Sequence, residues 1–431
     1  MKNYLVTRNN NPGMSFSLYI LSGSRKDNIP GTAHFLEHML ATAYEEDEKQ
    51  LESEILELGV EHNAWTSRDF IKLGYTYDDS VSLYNEEVWK KSVDFFRLKF
   101  ERAINGQLFK KNWIDKERPI ILNEELLSLD DHKITDRIFL DVSTDYKTSA
   151  RIIGDQKSIK KINKKVLWEY TKENLTQDNI FIVMSLPIYL TKEEVNYLVQ
   201  YLIDRWMSVI PKGKYDSFLD KDDIQLVNDL RKDLPSTLKY EGFSYDAIYG
   251  ICDTSNLSYA EHKVLAEILN QWAFKAIRQK HSLCYSAGCG AMIGFRDGKL
   301  CFSATSEREN HDKILDIWLS KLNNLSITKK EKDTAIMKIR TAYELSIKNP
   351  IILFIEDTMH FGDFKYLKRI MSKIDKDPYY NPYIEYRQEI TNILVSDKAR
   401  KNNKLQTFKD LGKYCADHFT KVFLYKKEEK E

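Results

Sequence analysis

The stretch Gly31–Leu40, GTAHFLEHML, decides how this chain is read. At its centre stands His34-Phe35-Leu36-Glu37-His38, a His-x-x-Glu-His spacing. It inverts the order of the commoner His-Glu-x-x-His zinc-protease motif. Residues four apart on a helix share a face. His34 and His38 can therefore offer two imidazoles to one Zn²⁺ from consecutive turns. Glu37 follows His34 by three positions and flanks that face, where a carboxylate can act as general base on a water at the metal without being a ligand.

The neighbouring sequence builds a frame for such a helix. Ser15–Leu21 (SFSLYIL) reads as a strand. Gly23-Ser24 and Pro30-Gly31 punctuate the turn that follows, and Thr32 is the expected N-cap of a helix running to about Tyr44. A second helix is expected over about Glu48–Leu58, with Leu51, Ile55 and Leu58 at helical spacing. Val60–Tyr75 reads as one strand close to the motif helix. His62, within it, reads as a polar strand histidine with no metal role.

Two imidazoles leave a catalytic zinc site short of a third ligand, which an acidic residue commonly supplies. After a helix at about Asn85–Glu101 comes Lys116–Leu129, KERPIILNEELLSL. Glu117 and Glu124 stand seven positions apart there, two turns of helix, on one face. Pro119 interrupts the segment and implies a helix that starts near it or kinks at it. Glu124, beyond the proline, is the expected metal ligand, and Glu125, off that face, is the fallback.

Composition narrows the rest. The chain has 431 residues, enough for two or more domains, with 42% hydrophobic and 30% charged residues. Its formal net charge is zero, which favours neither nucleic acid nor an acidic membrane surface as a partner. No apolar run approaches the ~20 residues that span a bilayer, so membrane insertion is not expected. MKNYLVTRNN carries no apolar core of a secretory signal. Five scattered cysteines without CxxC spacing fit a reducing compartment, and a cytoplasmic location is expected.

Further along, Arg151–Met184 reads as turn, helix, helix and strand, and Lys192–Ser208 as an amphipathic helix. The polar stretch Pro211–Pro235 reads as a linker. A strand at Phe243–Cys252, a helix at Tyr259–Gln279 and strands at Cys284–Gly294 and Gly298–Ala304 then repeat the order of the first half and suggest a duplication. The matching helix carries Ala260-Glu261-His262 and no second histidine at the required spacing, so one metal site is expected. Thr328–Thr391 reads as mostly helical, and Val422–Tyr425 as a closing strand. The domains are accordingly expected at 1–212 and 236–431, with a linker at 213–235.

With these residues in place, the chain resembles the pitrilysin-type (M16) zinc metallopeptidases in their short, two-domain form. GSRKDNIPGTAHFLEHML is similar to the family's block around the inverted motif. Asn63-Ala64-x-Thr66 looks like its Asn-Ala-x-Thr strand, Glu117-Arg118…Glu124 like its Glu-Arg…Glu helix, and Ile153-Gly154…Ile159 like a further landmark. Arg278 and Tyr285, with Leu283 between them, are similar to its Arg-x₆-Tyr pair. Two features depart from the family: the interval from His38 to Glu124 is somewhat longer, and Pro119 is unusual in that helix.

The resemblance implies an α+β fold of two structurally similar domains, each a mostly antiparallel sheet with helices packed on it. It implies that His34, His38 and Glu124 bind Zn²⁺, that Glu37 is the base, and that Glu117 supports the site from behind. The strand at Asn63, Ala64 and Thr66 would pair with an extended peptide substrate, and Arg278 and Tyr285 of the second domain would reach its carbonyl. The expected activity is that of a zinc endopeptidase, acting as a homodimer or heterodimer with another M16-like chain. The rival expectation is a subunit serving mainly as a substrate-binding scaffold.

Overall fold

The computed structural model of the 431-residue chain describes residues 4–9, 13–60, 62–75, 84–127, 138, 141–142, 151–214, 236–254, 257, 259–294, 297–344, 372–373, 376, 388 and 408–426. Two five-stranded sheets organise it. The first contains β1 (Tyr4–Asn9), β2 (Ser15–Ile20), β3 (Asn63–Thr66), β4 (Ile71–Tyr75) and β5 (Ile180–Pro187). Its order is β1-β5-β2-β4-β3, with β1 and β5 parallel and every other pair antiparallel. β5 reads IFIVMSLP and is buried along its whole length, as a central strand covered on both faces should be.

Seven helices accompany this sheet among the described residues: α1 (Thr32–Thr42), α2 (Glu46–Glu57), α3 (Glu86–Ile104), α4 (Lys111–Leu127), α5 (Gln156–Lys161), α6 (Lys164–Asn174) and α7 (Lys192–Met207). An aromatic knot fixes them to the sheet. Phe16 of β2 meets Trp89 of α3 and Trp206 of α7 edge to face, with ring centroids 5.2 and 5.3 Å away. Each indole N–H is satisfied by a backbone carbonyl, Trp89 by Leu198 at 3.3 Å and Trp206 by Val93 at 2.9 Å.

The second sheet contains β6 (Thr237–Phe243), β7 (Ala247–Asp253), β8 (Ser286–Gly294), β9 (Asp297–Thr305) and β10 (Phe419–Lys426), in the order β6-β10-β7-β9-β8. Matched strand for strand, this is the topology of the first sheet, including a single parallel pair, β6 with β10. The repeat expected from sequence is thus present in the hydrogen bonding. The accompanying helices are α8 (Tyr259–Ala273), α9 (His311–Asn323), α10 (Lys329–Glu344) and α11 (Phe408–Asp417). A π-helical turn at Phe274–Lys280 extends α8. One face of the sheet packs on helices through Ile248, Phe302, Trp318 and Phe419. On the other face Ile138 and Val142 join Tyr240, Ile251, Val422 and Leu424, and the Tyr240 hydroxyl donates to Asp141.

Some boundaries differ from the sequence reading. The single strand expected over Val60–Tyr75 is the hairpin β3–β4, because the Ser67 hydroxyl takes the backbone N–H groups of Asp69 and Phe70 and turns the chain. The strand expected at Phe243–Cys252 is the end of β6 followed by β7. α4 begins at Lys111 and runs through Pro119 rather than starting near it. The expected linker 213–235 lies outside the described residues from 215 onward, as does most of Thr328–Thr391 beyond α10.

Candidate metal centre

The helix that carries His34 and His38 is anchored at its start by Asp27. Its carboxylate accepts the backbone N–H groups of Gly31 at 2.8 Å and Ala33 at 2.9 Å, donors that a helix N-terminus leaves unpaired. The expected N-cap, Thr32, is instead the first helical residue. Gly31 holds the cap position, and the Thr32 hydroxyl donates back to the Ile29 carbonyl at 2.6 Å. Gly31 has φ +91°, a left-handed conformation, and a Cβ there would lie 2.5 Å from the Ile153 carbonyl oxygen. The Ile153-Gly154 loop therefore presses directly on the base of α1.

A second close approach ties the β3–β4 turn to the same region. A Cβ on Gly23 would lie 2.2 Å from the Ser67 carbonyl oxygen. Ser24 and Arg25 donate their backbone N–H groups to Ser67 and Arg68, and the buried Arg25 guanidinium pairs with Asp69 at 3.0 Å. The far end of α1 is held from α3. The wholly buried Lys99 ammonium donates to the Ala43 carbonyl just past the helix and lies 3.5 Å from Glu48. Arg118 fastens α4 alongside: its guanidinium donates to the carbonyls of Ile159 and of Ile162, the latter at 2.7 Å, and lies over the Phe35 ring at 5.5 Å.

These supports bring five titratable side chains together. Glu124 faces both histidines, with Oε1 at 3.5 Å from His34 Nε2 and Oε2 at 3.2 Å from His38 Nε2. Glu117 Oε2 lies 3.4 Å from His38 Nδ1, on the opposite side of the ring, and is buried. Glu37 Oε2 lies 3.7 Å from His34 Nε2 and accepts the Thr66 hydroxyl at 3.2 Å. Among the described residues, His34, His38 and Glu124 form the one group of three or more potential ligands, with donor atoms within 4.8 Å of one another.

Electrostatics follow from the packing. Burial opposes a charge on His38, but hydrogen bonds to Glu117 and Glu124 outweigh it and raise its pKa to about 9. The two histidines hold the Glu124 carboxyl well below its ordinary range. For Glu117 burial acts upward, but the contacts to His38 and Thr42 win and its pKa is lowered. Glu37 goes the other way. Burial raises its pKa against the pull of His34, His38 and Thr66.

Among the other expected site residues, Asn63 and Ala64 lie on β3, one of the two edge strands of the first sheet among the described residues, and the Asn63 side chain accepts the Ala64 N–H at 2.8 Å. Thr66, on the same strand, is buried and turned toward Glu37. Arg278 and Tyr285 are brought to each other in the second half, the guanidinium 5.1 Å from the ring of a largely exposed tyrosine. The fallback ligand Glu125 is engaged elsewhere, paired with Arg151 at 3.0 Å. His62 stacks on Phe95 at 4.5 Å, away from the ligand group. His262 is fully buried, with Nε2 2.6 Å from the Thr254 hydroxyl. Asp27 and the clamp made by Arg118 were not read from sequence. Asp27 stands four residues before Gly31, outside the usual capping interval, and the clamp joins residues about forty positions apart.

The duplicated α+β sheet unit and the His, His, Glu cluster on its first half can be set beside known proteins. The Insulinase (Peptidase family M16) family model matches residues 4–150, about a third of the chain. A segment of 174 residues is 29% identical to the beta subunit of the mitochondrial processing peptidase of Dictyostelium discoideum. That match takes in 39% of this chain and 35% of the relative, so the chain spans about a third of the length of the curated relatives it matches. A protease from Helicobacter pylori shares the fold over 98% of both chains, with a TM-score of 0.70 at 14% identity. The M16 inactive domain from Pseudomonas fluorescens does so over 99% of this chain and 96% of its own, with a TM-score of 0.66 at 16% identity.

Proposed function

We propose that this chain is a zinc-dependent endopeptidase whose metal is held by His34, His38 and Glu124. The observation that carries the reading is the convergence of the donor atoms: His34, His38 and Glu124 each offer a ligand atom within 4.8 Å of the others. Glu124 turns one carboxylate oxygen to each imidazole, 3.5 Å from His34 Nε2 and 3.2 Å from His38 Nε2. Two imidazoles and one carboxylate are a common catalytic zinc set, and Glu117 behind His38 is the outer carboxylate that fixes a ligating ring.

Zinc bound there supplies Lewis acidity, lowering the pKa of water to about 7 and polarising a carbonyl. The chain supplies the rest. Glu37, its basicity raised by burial, takes a proton from the attacking water and returns it to the leaving amine nitrogen. β3, an edge strand among the described residues, would offer main-chain hydrogen bonds to an extended peptide, an arrangement that tolerates many sequences. Arg278 and Tyr285 are the donors assigned to the developing oxyanion. Because they belong to the second half, cleavage depends on the two halves closing on the peptide. Pairing with a second M16-like chain belongs to the same reading, supported by the name of the Dictyostelium relative as a subunit.

The experiment is peptide-library digestion by the zinc-loaded protein, alone and after mixing with any co-purifying chain, beside Glu37→Gln. Cleavage by the wild type and none by Glu37→Gln, at equal zinc content, is the expected result. Equal cleavage by both removes Glu37 from its role. Peptide binding with no cleavage by the zinc-loaded protein in either mixture turns the assignment to a substrate-binding scaffold.

A further inference from the structure

The geometry points to Thr66 as the positioning residue of Glu37: its hydroxyl pins the carboxylate toward the ligand group from the strand proposed to receive the peptide. This rests on the function proposed above for its catalytic consequence, but the contact itself does not. Thr66 ends the edge strand β3, is buried, and donates to Glu37 Oε2 at 3.2 Å across twenty-nine positions of sequence. The same oxygen lies 3.7 Å from His34 Nε2, so the hydroxyl holds it on the side where the ligands converge. Among the described residues no other hydroxyl or N–H donor outside the two histidines reaches this carboxylate.

The chemistry needs such a hold. Glu37 lies in a helix, and its χ angles set where the carboxylate points. A carboxylate offers about four lone-pair sites, so the Thr66 bond leaves others for a water proton. In the proton transfer one water O–H bond breaks and a Glu37 O–H bond forms. The water oxygen bonds to the peptide carbonyl carbon, the proton then passes to the amine nitrogen as the C–N bond breaks, and the carboxylate is restored. Thr66 exchanges no proton and touches no reacting atom. Its side chain is turned inward, so β3 would hold the peptide through its backbone while this hydroxyl aligns the base. Docking and base alignment then share one short strand.

The test compares Thr66→Val, of nearly the same shape but without the hydroxyl, with Thr66→Ser, which keeps it. A misplaced catalytic group commonly costs about a hundredfold. Thr66→Val should therefore lower kcat by roughly 10- to 100-fold with KM within about threefold of wild type, while Thr66→Ser restores kcat to within about threefold. A second readout needs no activity: crystal structures of the metal-free wild type and Thr66→Val. The expected result is Glu37 in the present rotamer in the first and displaced or split in the second. A Glu37 rotamer unchanged by Thr66→Val overturns the proposal, as does a raised KM at unchanged kcat, which would make Thr66 a substrate contact. If the wild type cleaves no peptide, the functional reading fails while the rotamer comparison still decides the role of Thr66.

Discussion

Zinc uptake should displace a proton from His38, and Glu117→Gln should reduce that displacement. His38 has a pKa of about 9 in the metal-free protein, so it is almost fully protonated at pH 7. An imidazole must lose its proton to bind metal. Its contribution to proton release at pH 7 is therefore about one per zinc, and zinc affinity should rise about tenfold per pH unit below that pKa. Glu117 lies 3.4 Å from His38 Nδ1 and is among the largest causes of the raised value. With every carboxylate influence gone, burial would leave His38 below its ordinary 6.5, and it would contribute less than about a quarter of a proton at pH 7. Glu124 stays in Glu117→Gln, so the drop should be greater than zero and less than about one proton. Calorimetry in buffers of different ionisation enthalpy measures it. The stability sign follows from the raised folded-state value. The metal-free protein gains stability from His38 below pH 6.5 and loses it as pH rises through about 9. Equal proton release by wild type and variant, with the same pH slope of affinity, would refute the reasoning.

Two further outcomes test the supports of the site. Gly31→Ala places a Cβ at φ +91° and 2.5 Å from the Ile153 carbonyl, and should cost about 2–4 kcal/mol, seen as a Tm lower by roughly 5–10 °C; an unchanged Tm contradicts the close approach. Burial, then the charge of Lys99, depresses the pKa of His62 to about 3, so its stabilising contribution is present above pH 6.5 and lost as pH falls through that range. His62→Phe should remove about 1–2 kcal/mol of acid sensitivity by pH 5, read from urea midpoints at pH 7 and 5; parallel midpoints in both proteins contradict it.

What the sequence disclosed depended on how local each signal was. α1 and its histidine pair lie within one helix, where spacing alone sets the shared face. The register of Glu117 and Glu124 was equally local, and both meet His38. β1 and β6 escaped notice because each is a short strand whose parallel partner, β5 or β10, lies more than a hundred and seventy positions away. Pro119 argued for a later start to α4, yet flanking turns from Lys111 carry the helix through it. Thr66 was read as part of a peptide-binding strand. That its hydroxyl reaches Glu37 depends on how α1 lies against β3, a packing relation absent from either segment by itself.

The most direct measurement of the central claim is anomalous diffraction at the zinc edge from zinc-loaded crystals of wild type and Glu124→Gln. The account predicts one strong peak per chain in the wild type, about 2.0–2.2 Å from His34 Nε2, His38 Nε2 and a Glu124 oxygen, and a weakened or absent peak in the variant. A wild-type peak elsewhere, or an equal peak at the histidines in both crystals with Glu124 turned away, would contradict it.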